Sequence, residues 1–172
     1  LFRREMRMGD HIECEGIEGK VAHIAIRESH IRQTDGQLVI VPNAMLFKNP
    51  VYVRTDQDHR RQTIICGVAY DVDVDKARSV ITKAVESCET VEQGKHPIQI
   101  FAQEFAASSI NFEVTWWTGS TPVEQRRSKD EVVTAVKRGL DDAGLEIPFP
   151  YRTLTFKEPL PLTRPRQEDG DD

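Results

Sequence analysis

The sequence predicts a mixed β and α+β chain, with a small, tightly turned β-barrel first and an α/β unit of split βαβ order behind it. Three observations carry this. Between Gly9 and Pro50, short apolar-alternating segments are cut by Gly, Asp-Gly and Pro-Asn turn residues. Farther on, two stretches around Ala77–Cys88 and Val132–Leu140 carry apolar residues at helical spacing. Runs rich in β-branched and aromatic residues stand before, between and after those stretches.

In chain order, strands are expected near His11–Cys14, Lys20–Ile26, His30–Thr34, Gln37–Val41 and Val51–Arg54, with Gly-Ile-Glu-Gly separating the first two. Asp35-Gly36 reads as a hairpin turn, because both turn positions favour positive φ. Five short strands joined by tight turns suggest a closed or nearly closed barrel, which removes exposed edges. Arg61–Ala69 is then a strand. Ala77, Val80, Ile81, Ala84, Val85 and Cys88 form one face of a helix that Asp71 or Asp73 caps. Ile98–Phe105 and Ser109–Thr118 are strands, the second with Ile110, Phe112, Val114 and Trp116 on one face. A second helix is expected over Lys129–Ala143, ended by Gly144 in the left-handed region. A last strand, Arg152–Phe156, follows the turn at Pro148-Phe149-Pro150, which completes a β-α-β-β-α-β order.

At 172 residues the chain can hold one domain or two small ones. With 38% hydrophobic and 30% charged residues it has a globular composition, and a net charge of −5 argues against nucleic acid as the main partner. No stretch of about 18 apolar residues spans a bilayer, and no secretory signal is visible. The first residue is Leu, so the sequence is expected to be a fragment or a processed product. Cys14, Cys66 and Cys88 cannot all pair within one chain, and their spacing matches no zinc or redox motif; free thiols are expected. The segment 157–172 holds three prolines and ends acidic, and is expected to be flexible beyond about Leu162.

Seven stretches, in order over residues 5–156, resemble the small-conductance mechanosensitive channel family. They are Gly9-Asp10, Gly16-Ile17-Glu18-Gly19-Lys20-Val21, Thr34-Asp35-Gly36, Val41-Pro42-Asn43, Gly67-Val68-Ala69-Tyr70-Asp71, Ser108-Ser109-Ile110-Asn111-Phe112, and Ala143-Gly144 through Pro148-Phe149-Pro150. The resemblance implies an Sm-like β-barrel domain over 1–58, whose residues 1–8 are the tail of a preceding pore helix. It implies a ferredoxin-like α/β domain over 59–156, followed by the Pro-rich acidic tail 157–172. It further implies a homo-oligomer, a heptamer ringing a water-filled vestibule with side portals, on the cytoplasmic side of the cell membrane. Lipid would be met through upstream helices, and ions and small osmolytes would pass during hypo-osmotic shock. No catalysis, no cofactor and no nucleic-acid partner are expected. The family's small parallel barrel at the base of the ring is in doubt here, because Pro159 and Pro161 cannot donate to a strand ladder; it would be shortened to about Thr153–Lys157.

The candidate functional residues fall into three groups. Arg126, Arg127 and Lys129 either face solvent at the start of the second helix or line a portal and bias ion preference. Arg3, Arg4 and Arg7 suit a membrane-proximal position facing anionic lipid heads. Gly16 and Gly19 permit a bend or bulge, and Pro42-Asn43 ends a strand and turns the chain; all four serve either folding alone or a subunit contact. Trp116 and Trp117 point to opposite faces of one strand, one into the core and the other toward a possible interface. The scattered histidines give no metal signature, Ser108–Asn111 reads as a folding motif, and Asp71, Asp73 and Asp75 read as helix-capping residues. An Sm-like RNA-binding or scaffold ring is the alternative reading; it needs basic, stacking residues around a ring opening.

Overall fold

The computed structural model describes residues 6–155 and 157. Arg3, Arg4, the tail from residue 158 and the end of the expected last strand, Phe156, lie outside them. The element order is β1 (His11–Cys14), β2 (Ile17–Ile24), β3 (Glu28–Arg32), β4 (Leu38–Pro42), α1 (Asn43–Lys48), β5 (Tyr52–Val53), β6 (His59–Val68), α2 (Val74–Glu86), β7 (Gln99–Phe105), β8 (Ile110–Gly119) and α3 (Pro122–Asp142).

The first five strands form one antiparallel sheet in the order β4-β3-β2-β1-β5. Its inward face, with Leu46 of α1, makes a small core of Ile12, Cys14, Val21, Ile31, Val41 and Leu46. Within one chain the sheet is open, because β4 and β5 are its edges and no pairing joins them among the described residues. β5 is only two residues long and follows Pro50, which has no N–H to extend the ladder. The turns differ from expectation. The first reversal is Glu15-Gly16, both at positive φ (49° and 78°), so β2 starts at Ile17 and takes in the residues expected to separate the strands. Between β3 and β4 the reversal is longer than two residues: Gln33 N–H donates to the Gln37 carbonyl and Asp35 Oδ1 accepts the Gln37 N–H. Only Gly36 there takes positive φ, so the local hydrogen bonds of Asp35 replace a second left-handed residue.

The second sheet is antiparallel in the order β6-β8-β7, with α2 and α3 packed on one face. Trp116 and Phe112 on the central strand are fully buried beneath them, with Ile81, Val85, Val132 and Leu140 from the helices. Gly139 faces Ala84 and Val80 of α2, where an added Cβ would make ordinary contact at 3.4 Å and 3.5 Å. On the opposite face, Ile65, Glu113 and Phe101 form one row across the three strands, with both apolar members exposed. α2 is capped by Asp73, which accepts the Lys76 N–H at 2.8 Å, while Asp75 pairs with Arg78. α3 begins seven residues before the expected start, at a capping box in which Thr121 and Glu124 satisfy each other's backbone N–H, with Pro122 leading the helix. Gly144 (φ 66°) ends it, and Leu145 N–H closes onto the Leu140 carbonyl.

No strand forms at Arg152–Thr155. The chain touches the end of β6, where Ala69 N–H donates to the Glu146 carbonyl, and then crosses to Ser108, whose Oγ accepts the Tyr151 N–H. It runs on exposed and unpaired, because it crosses the end of the sheet instead of lying along an edge. Among the described residues the order is therefore β-α-β-β-α. The three cysteines are buried and free, and burial pushes the Cys66 and Cys88 thiols up to about 11.

Candidate functional site

The turn residues of the first sheet hold the fold from inside. Gly16 supplies one of two left-handed positions in the first hairpin. Gly19 has ordinary φ, but a Cβ there would lie 2.5 Å from the Arg32 carbonyl oxygen and 2.8 Å from Ile31 Cγ2, so β3 occupies the space of its side chain. The irregularity in pairing falls between Val21 and His23, away from both glycines. Pro42 ends β4, and Asn43 starts the short helix α1 instead of a turn. The Asn43 side chain is a polar knot. Its Nδ2 donates to the carbonyls of Ala25 (2.8 Å) and Ile26 (3.1 Å), and its Oδ1 accepts from buried Ser29 Oγ (2.8 Å). The β2–β3 turn is thereby tied to the end of β4, and Ile26 at its tip is 94% exposed on a fastened support.

Arg7 is exposed, and its backbone N–H donates to Asp10 at the mouth of β1. The other end of the first unit is pinned back to the same place. Arg54 N–H donates to the His11 carbonyl, Arg54 pairs with Glu13, and Thr55 Oγ1 accepts the His11 N–H while donating to Asp10. The chain leaves for β6 only after these bonds.

Arg126, Arg127 and Lys129 lie in the first two turns of α3, all exposed, while Ser128 between them turns inward to accept the Trp116 Nε1–H at 2.9 Å. Gln125 Oε1 accepts from Gln62 Nε2, so the start of α3 is moored to β6. Of the three cations, Arg126 lines an open cleft of about 240 Å³ between the two units, with Pro122 on its own side and Gly16, Glu18, Gln33, Thr34 and Asp35 opposite. The sequence reading missed this meeting of the Asp35 turn and the α3 start; it joins residues some ninety positions apart, and no local pattern announces it. Hydrogen bonds from Thr121, with His59 and Arg127 nearby, hold the Glu124 carboxyl below the usual carboxylate range.

Two further carboxylates stitch the α/β unit. Glu131 on α3 accepts from Thr90 Oγ1 and from the N–H groups of Glu89 and Thr90, which holds it low despite partial desolvation. Desolvation resists the charge on Glu92, yet the N–H groups of Lys95 and His96 and the His96 ring outweigh it and lower that carboxyl too. His96 stacks on Trp117 at 4.1 Å, so the second tryptophan is half-covered by its own chain. Ser109 Oγ bonds Asn111, with Glu104 behind it, a polar cluster without a base positioned for nucleophilic chemistry. Among the described residues no group of three or more His, Cys, Asp or Glu could hold a metal ion, and no helix is long and apolar enough to cross a membrane.

Two family models match in succession: the mechanosensitive ion channel beta-domain over residues 1–52, and the C-terminal domain of the mechanosensitive ion channel MscS over residues 63–147. A MscS family protein of Synechocystis is 33% identical over 153 residues, covering 89% of this chain and 51% of the relative. The small-conductance mechanosensitive channel of Helicobacter pylori is 28% identical over 159 residues, covering 91% and 57%. The crystal structure of Helicobacter pylori MscS in its closed state superposes with a TM-score of 0.82 at 26% identity, over 91% of this chain and 61% of that one. The cryo-EM structure of Arabidopsis thaliana MSL1, at 17% identity and a TM-score of 0.73, shares the fold. The chain spans about half the length of the curated relatives it matches.

Proposed function

Because this chain belongs to the small-conductance mechanosensitive channel family, we propose that it is the vestibule portion of a tension-gated channel, assembled as a heptameric ring on the cytoplasmic side of the cell membrane. The single observation that supports this most is the succession of two channel-domain matches that together run from residue 1 to 147. In this reading the first unit is an Sm-like barrel completed in the ring, and the second is a ferredoxin-like domain whose last strand is absent among the described residues. The open edges β4 and β5 carry exposed Leu38, Ile40 and Tyr52, and pairing them with neighbouring copies would hide edges that otherwise aggregate. Arg3, Arg4 and Arg7 would face anionic lipid heads beneath the pore helix. Arg126, Arg127 and Lys129 would border a side portal, through which ions and small osmolytes leave during hypo-osmotic shock. Gly16, Gly19, Pro42 and Asn43 would act on assembly through the shape of the barrel.

The decisive experiment is to read the frame upstream of Leu1, reconstitute the whole protein in liposomes and record under pressure clamp. Tension-gated current supports the proposal, and reversing the charges of Arg126, Arg127 and Lys129 should move ion preference toward cations. A frame that starts with Met a few codons upstream, or a membrane-inserted protein that stays silent up to membrane rupture, would overturn it. Tight, salt-sensitive RNA binding would instead favour the Sm-like RNA-ring alternative, which the net charge of −5 opposes.

A further inference from the structure

The cleft between the two units carries opposite charges on its two walls. Arg126 stands on the α3 side, with Glu18 and Asp35 on the other and the polar side chains of Gln33 and Thr34 beside them. No direct ion pair joins the walls. Among the described residues no carboxylate lies within 4.0 Å of the Arg126 guanidinium. The acids are only partly committed within the chain: Asp35 Oδ1 holds the Gln37 N–H and Glu18 Oε1 faces His11, and among the described residues the second oxygen of each takes no hydrogen bond. Both acids sit on well-defined supports, a hydrogen-bonded turn and a paired strand.

A simple cation or anion entering this space meets one attractive wall and one repulsive wall. A solute with both charges is attracted by both. We propose that the cleft binds small zwitterionic solutes of the amino-acid class, with the ammonium toward Asp35 and Glu18 and the carboxylate on the Arg126 fork. Because the walls are open to water, binding is weak, on the order of millimolar, which suits a solute held in cells at high concentration. The inference goes beyond the channel reading and stands on the cleft alone, so solute binding and tension-gated current succeed or fail separately.

The test is a titration of the 172-residue chain followed by backbone amide and Arg126 Nε–H NMR shifts. Glycine, β-alanine and 4-aminobutyrate serve as a ruler of increasing charge separation, with potassium chloride, acetate and methylammonium as controls. At least one zwitterion should saturate the shifts at Gly16, Thr34–Gly36 and Arg126. Acetate and methylammonium should bind at least about 5-fold more weakly. Arg126→Gln and Asp35→Asn should each weaken the zwitterion by roughly 10-fold; the asparagine keeps an oxygen for the Gln37 N–H, so the turn survives. Shifts that match potassium chloride, half-molecules that bind as well as the zwitterions, or indifference to both substitutions would overturn the proposal.

Discussion

The two units of this chain are stabilised by different means. The α/β unit surrounds a core of sixteen buried residues that includes Trp116 and Phe112, and it fastens its loops with carboxylates that accept backbone N–H groups. Among the described residues, the β unit has six buried core residues and leans on a few close contacts, the Asn43 knot and the bare backbone of Gly19. A large core spreads its stability over many contacts. A small one concentrates it in single positions, and here it leaves two sheet edges whose exposed apolar side chains are not covered by the other described residues.

Substitutions can break this contrast. Trp116→Ala removes the largest buried side chain and leaves Ser128 unpartnered, and should cost the α/β unit about 3–5 kcal/mol in denaturant unfolding. The β unit should then unfold at its usual midpoint; if both midpoints fall together, the two cores are one cooperative unit. Gly19→Ala should destabilise the β unit by roughly 3 kcal/mol, the upper end for overpacking, because the nearest obstructing atoms are the Arg32 backbone carbonyl, which cannot rotate away. Retained β-sheet amide protection in that variant would show that β3 yields easily. Asn43→Ala should cost about 2 kcal/mol and loosen the Ala25–Glu28 turn first, seen as faster exchange of the Asn43 and Ala25 amides. Thr121→Ala should remove about 1 kcal/mol and fray α3 at its basic end.

Acid should separate the halves without mutation. Glu124, Glu131 and Glu92 titrate lower in the folded chain than in the unfolded one. Their stabilisation is complete above the unfolded carboxylate value of about 4.3, and is lost as pH falls through the lower folded values. All three lie in the α/β unit, so as pH falls below about 4.3 its thermal midpoint should fall more steeply than that of the β unit. Equal slopes would sink this assignment.

Much of the architecture was legible. Alternation placed β1 and β8 within a residue or so, and the apolar stripe from Ala77 to Val85 identified α2. Other features were not legible, for physical reasons. α1 is six residues long, too short for helical periodicity to emerge. The first two turns of α3 carry almost no apolar residues, which hid them from a hydrophobic pattern, although Thr121-Pro122-Val123-Glu124 was a readable start signal. Arg152–Phe156 looked like a strand by composition, yet a strand exists only where a ladder partner does, and the described residues 152–155 find none along the path across Ser108. Arg126 was recognised as a candidate, but its acidic counterparts were not, because tertiary structure alone brings the Asp35 turn to α3.

The buried cysteines turn these differences into something measurable by chemistry. Cys14 sits in the β core, and Cys66 and Cys88 sit in the α/β core. Only a thiolate reacts readily, and burial both hides these sulfurs and keeps them protonated. Alkylation of the unmodified protein is therefore a clock with a separate hand in each unit, ticking only when that unit opens. The order in which the three sites acquire mass reveals which half breathes more often, and anything that holds the β unit closed would slow the hand of Cys14 alone.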